Sequence, residues 1–211
     1  MSSSEISLEY IAEGRAKRLI SLAKLGIVAD LIGDRAVIWN PDQGYEVFMA
    51  GFFGRPLGVR KPKMVKFNRP LELSIYDALY LLEKGIIKVR DISRSENFAD
   101  AYLDPDELMR IGSESYKDFK AKYKVYKDLR DKGFIVRPGL KFGSDFSVYR
   151  YGPGIDHAPF LVTVYSKDTK LLGVDLVRAG RLANSVRKKW VIAVILEDGT
   201  IRYLVFSWYK L

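Results

Sequence analysis

From Gly26 onward the apolar residues follow two rhythms. Some alternate with polar residues in short runs, and others recur every three or four positions in longer ones. GIVADLIGDRAVIW, residues 26–39, holds two apolar runs around Gly33-Asp34 and predicts a β-hairpin. Asn40 then reads as the N-cap of a helix whose first position is Pro41. Residues 51–63, GFFGRPLGVRKPK, are a loop rich in Gly, Pro and cations, and MVKF predicts a short strand. ELSIYDALYLLEKG predicts an amphipathic helix capped at Ser74 and ended at Gly85, with Ile75, Ala78, Leu79 and Leu82 as its inner stripe. IIKV is the strand after it.

A polar stretch follows, with a helix after Pro105. YKDFKAKYKVYKDLRDKG then predicts a helix with Phe119, Tyr123, Tyr126 and Leu129 inward. Its other face carries Lys117, Lys120, Lys124 and Lys127. FIVRPG, DFSVYRY, FLVTVY, KWVIAVIL and IRYLVFSWY predict strands, and residues 174–186 a helix between the third and fourth. Glu197-Asp198-Gly199 turns the last hairpin. The pattern therefore predicts a mixed α/β fold in four parts. These are an extension (1–24), a small N-terminal α/β domain (25–92), a connecting segment with a helix (93–115) and a second α/β domain with a central mixed sheet (116–211).

Composition narrows the function. Hydrophobic residues make up 48% and charged residues 29% of 211, an ordinary soluble balance. No apolar run is long enough to span a bilayer and no secretory signal stands at the start, so cytoplasmic residence is expected. With no Cys and one His, thiol nucleophiles, disulfides and Cys- or His-rich metal sites within one chain are excluded. No tight Asp/Glu constellation argues for magnesium, and no cofactor is expected. The net charge of +9 favours a polyanionic partner, with a merely solubilising lysine surface as the alternative.

Three residues at element ends draw attention. They are Tyr149 at the end of KFGSDFSVY, His157 before FLVTVY, and Lys188 after the last helix. Cleavage of RNA by its own 2′-hydroxyl needs a base, an acid for the departing 5′-oxygen and a cation for charge developing on phosphorus. Histidine suits acid or base work near neutral pH, and lysine supplies a compact charge. Tyrosine can serve as base where cations such as Arg150, Arg187 and Lys188 lower its pKa. Each residue also has a plainer reading, as a strand-end histidine, an edge tyrosine and one surface lysine among many.

The surrounding motifs resemble one family. KFGSDFSVY, HAPFLV and SVRKK, in that order, are similar to the signature of the archaeal tRNA-splicing endonucleases. FFGRPL and SIYDALYLLEKGIIKV are similar to its N-terminal domain. The resemblance covers about residues 26–91 and 118–211, and it implies that the trio carries the chemistry. Tyr149 matches the general base, His157 the general acid and Lys188 the transition-state stabiliser. It implies metal-free cutting of precursor tRNA at bulge–helix–bulge junctions, leaving a 2′,3′-cyclic phosphate and a 5′-hydroxyl. Arg181 and Arg202 match two arginines that stack on a bulged base. Arg60, Lys61 and Lys63 fall in a loop similar to a basic insertion that contacts RNA. Glu197 and Asp198 match an acidic loop that docks on another subunit, and the terminal strand matches one that pairs across subunits. The implied assembly is an (αβ)₂ tetramer with a structural subunit, or alternatively a homo-oligomer. A non-catalytic RNA-binding subunit of the same assembly is the other reading. The loop between Tyr149 and His157 departs from the pattern in being short and in holding both Pro153 and Gly154.

Overall fold

The computed structural model describes residues 8–59, 65–94, 101–155 and 158–206. The chain forms two compact units, Met1–Lys120 and Ala121–Leu211.

The first unit begins with α1 (Leu8–Leu22), in the segment read as an extension. β1 (Ile27–Ile32) and β2 (Arg35–Ile38) form the expected hairpin, with Gly33 at φ +61° in its turn. Asn40 accepts from the backbone N–H groups of Asp42 and Gln43 and so caps α2 (Pro41–Gly51). β3 (Arg55–Pro56) and β4 (Leu71–Ser74) follow. Here the structure corrects the reading. Residues 65–67 form no strand, and Phe67 instead packs edge-on against Tyr45 and Phe48. The strand is β4, which runs straight into the helix that Ser74 caps and so has no boundary of its own in the sequence. Its alternation is clear once paired, with Leu71 and Leu73 buried and Glu72 and Ser74 facing out.

Ser74 caps α3 (Ile75–Glu83) through the Asp77 N–H. β5 (Ile87–Asp91), β6 (Tyr102–Leu103) and α4 (Pro105–Ser115) complete the unit. Asp104 and Glu107 form a capping box at the start of α4, which packs on α3. The strands make one mixed sheet in the order β3-β4-β2-β1-β5-β6.

α5 (Phe119–Asp131) starts three residues later than its apolar pattern suggests, because Asp118 sits at φ +58°. Phe119, Tyr123, Tyr126 and Leu129 are buried, as expected. β7 (Ile135–Pro138), β8 (Phe146–Tyr149), β9 (Phe160–Ser166), α6 (Gly173–Ser185), β10 (Lys189–Ile195) and β11 (Ile201–Phe206) follow. They give a mixed sheet in the order β11-β10-β9-β8-β7, parallel only at β9–β10. α6 is the crossover between those two strands. Leu161, Ala183, Trp190 and Ile192 form the core beneath it. The mixed α/β class is thus the observed one.

Candidate active site

Strand register decides which residues meet. β8 runs antiparallel to β9, with Val148 opposite Phe160, so Tyr149 lies at the end of the sheet where β9 begins. β10 runs parallel to β9, with Lys189 opposite Phe160, so Lys188 lies at the same end. His157 is outside the described residues, but the next residue in the chain, Ala158, is buried at this end. The Lys188 ammonium donates to the Ala158 carbonyl at 2.7 Å and lies 5.5 Å from the centre of the Phe142 ring. That contact ties Lys188 to the segment entering β9.

Two local devices hold these residues. The first is the turn Gly139–Asp145. The Gly139 N–H bonds the Asp145 carbonyl at 2.9 Å, and a Cβ at Gly139 would stand 2.7 Å from the Ser144 carbonyl oxygen. The Asp145 carboxylate accepts from the Val164 N–H at 2.8 Å and pairs with Lys122 at 2.9 Å. Asp145 therefore fastens the turn to β9 and α5, and β8 with Tyr149 follows directly. The second device is the end of α6. The Lys188 N–H reaches back to the Ala183 carbonyl, and Arg187 holds φ +54°. This is a Schellman-type ending in which glycine is the usual residue. An arginine there accepts backbone cost and keeps a cation beside Lys188.

A cleft of about 390 Å³ opens next to this end of the sheet. Asn184, Arg187, Lys188 and Lys189 supply its polar lining, and Leu176, Val177 and Phe206 its apolar wall. Phe142, Asn184 and Lys189 were not singled out from sequence. The aromatic of the KFG turn was the available signal for the first. Arg150 does not join the cations of the cleft and lies over the Phe160 ring at 6.0 Å.

The remaining expected residues stand elsewhere. Arg181 is exposed on α6, one turn before its end. Arg202 is opposite Val194 and lies near the far end of β10 from Lys188, about 20 Å along the strand. Glu197 and Asp198 form the exposed turn beyond it. Glu197 pairs with Lys167. Asp198 accepts from the N–H and hydroxyl of Thr200, and these bonds, with Arg202 and Lys124 nearby, hold its pKa below the usual carboxylate value. Arg60, Lys61 and Lys63 are outside the described residues. Among the described residues no three Asp, Glu or His side chains converge as a metal site. No helix there is long and apolar enough to cross a membrane.

Residues 119–203 match the tRNA intron endonuclease catalytic C-terminal domain, and residues 27–102 match the N-terminal domain of the same enzymes. A tRNA-splicing endonuclease of Hyperthermus butylicus is 42% identical over 185 residues, covering 87% of this chain and 99% of that protein. The chain belongs to the tRNA-splicing endonuclease family. Tyr149, Lys188 and the approach to β9 all lie in its catalytic C-terminal domain. Family members of the same name from Saccharolobus islandicus and Sulfurisphaera tokodaii are 38% and 35% identical over 187 residues, covering 88% of this chain and the whole of each relative.

Proposed function

We propose that this chain is a catalytic subunit that excises introns from precursor tRNA at bulge–helix–bulge junctions, without metal. The observation that carries the reading is the common sheet end. Tyr149 ends β8 there, and the Lys188 ammonium rests on the carbonyl of the residue after His157. Tyr149 takes the 2′-hydroxyl proton, and the 2′-oxygen forms its bond to phosphorus. The P–O5′ bond breaks, and His157 protonates the departing oxygen. Lys188 holds charge on the non-bridging oxygens. The products are a 2′,3′-cyclic phosphate and a 5′-hydroxyl.

Arg181 and Arg202 clamp a bulged base by stacking on its two faces, as guanidinium planes do. Arg60, Lys61 and Lys63 contact the phosphate backbone. The exposed turn of Glu197 and Asp198 docks on another subunit, and the assembly is an (αβ)₂ tetramer with a structural partner.

Cleavage of a bulge–helix–bulge RNA in EDTA tests this. Wild type yields cyclic-phosphate ends, and His157→Ala does not. Cleavage only after a candidate partner subunit is added identifies the chain as the catalytic half of a mixed assembly. Cleavage that survives the substitution, or that requires magnesium, overturns the mechanism.

A further inference from the structure

The helices α2 and α3 lie against β2 and β4, and Ile27, Ala29, Leu31, Ile87 and Val89 point into the core of the first unit. The other face of that sheet carries an unusual arrangement. Asp30 on β1 is 6% exposed, and its register partners are Val37 on β2 and Arg90 on β5. Arg90 in turn stands opposite Tyr102 on β6. The Arg90 guanidinium grips the Asp30 carboxylate with two bonds, 2.7 and 3.0 Å. The same carboxylate accepts the indole N–H of Trp39 at 2.9 Å.

Trp39 nevertheless remains 52% exposed, and Tyr102, two strands beyond β1, is 41% exposed. The Lys88 ammonium lies 5.6 Å from the centre of the Tyr102 ring. A tryptophan used for packing buries its ring. Here a nearly buried, doubly anchored carboxylate fixes the ring plane and leaves its face to solvent.

We propose that this face is a stacking platform for unpaired bases of the RNA substrate, with Trp39 and Tyr102 as the two base contacts and Lys88 as a phosphate contact. It rests on the reading that the chain acts on precursor RNA. Charge argues for RNA over a protein occupant. By strand alternation Arg35, Arg55, Lys88 and Arg90 share the face, against Asp30 and Glu72, and the whole chain carries +9. Exposed aromatic rings beside cations on a sheet face suit single strands, because every base offers a π-face and every nucleotide a phosphate. The platform lies outside the catalytic unit, so it adds affinity for unpaired segments and leaves the bond-breaking groups untouched.

The test uses the full chain and a short fluorescein-labelled oligouridylate, read by anisotropy, beside cleavage of a minimal bulge–helix–bulge duplex. Trp39→Ala and Tyr102→Ala each weaken oligouridylate binding about tenfold, while Trp39→Phe, which keeps a ring, stays within about threefold of wild type. The turnover number on the minimal duplex does not change in any of them. Wild-type affinity in Trp39→Ala and Tyr102→Ala overturns the platform. So does a Trp39→Phe protein as weak as Trp39→Ala, because the hydrogen bond and not the ring then matters. A changed solution mass at unaltered RNA affinity overturns it in favour of a protein interface. The two readings fail separately. Wild type that binds through Trp39 but cuts no bulged duplex sinks the nuclease reading alone, and cutting with Trp39-independent binding sinks the platform alone.

Discussion

Tyr203 on β11 donates its hydroxyl to Asp128 on α5 at 2.6 Å. Burial, and then the hydrogen bond and charge of Asp128, push the phenol pKa far above its ordinary value near 10. Above about pH 10 the unfolded chain releases this proton and the folded chain keeps it. The group's contribution is therefore complete below that pH and is lost as pH climbs toward the folded-state value. Tyr203→Phe is expected to cost about 1 kcal/mol at neutral pH and to flatten the alkaline loss of stability, measured by urea melts at neutral pH and above pH 10. Arg187 is in tension with its own backbone, at φ +54° where glycine is usual. Arg187→Gly is expected to raise stability by about 1 kcal/mol in thermal melts and to weaken RNA binding, since the cleft loses a cation. A variant both less stable and unchanged in RNA affinity would show that the strain serves neither purpose.

Helices in the first unit touch through glycine. A Cβ at Gly112 of α4 would stand 2.3 Å from the Phe119 ring, which is fully buried and lies 4.7 Å from the Tyr76 ring, centre to centre. Gly112→Ala is expected to cost about 1–3 kcal/mol by overpacking. Gly14 of α1 has open space around its would-be Cβ, so Gly14→Ala is expected to gain up to about 1 kcal/mol from helix propensity. Melting temperatures moving in opposite directions check both. This contrast also shows what the sequence exposes at the scale of elements. The Gly33 turn, the Asn40 and Ser74 caps and the buried stripe of α5 are written in neighbouring residues, and all were readable. β4 was not, because four residues of alternation merge into the helix that Ser74 starts. β3 was not, because two residues, Arg55 and Pro56, have no period and become a strand only by pairing with β4. Tyr149 and Lys188 were legible as element ends, but their common sheet end depends on the registers of β8 and β10 with β9, which no local pattern encodes. The Trp39 platform was silent for the same reason, since Asp30, Arg90 and Tyr102 align only across three strands.

Whole-molecule geometry bears on assembly through the separation of Lys188 and Arg202. They stand toward opposite ends of β10, about 20 Å apart along the strand, too far for one chain to place both at a single scissile phosphate and its neighbouring base. If both serve one junction, a second subunit supplies Arg202. β11 is suited to bring that subunit in. It is the outermost strand of its sheet, and Leu204, Val205 and Phe206 are 50%, 56% and 38% exposed. An open apolar edge of this kind recruits another strand unless something blocks it. Val205→Asp places a charge on that edge and is expected to lower the solution mass by light scattering, with cleavage lost and the melting temperature of the chain little changed. Complementation then separates the sources of the clamp. Chains carrying Lys188→Ala and chains carrying Arg202→Ala are each expected to be inactive alone. When refolded together they recover cleavage if Arg202 of one copy serves Lys188 of another, since one junction in the mixed assembly then has both groups. No recovery, with the mass unchanged by Val205→Asp, would remove both β11 pairing and the shared clamp, and full activity of Arg202→Ala alone would leave Arg202 as a surface arginine.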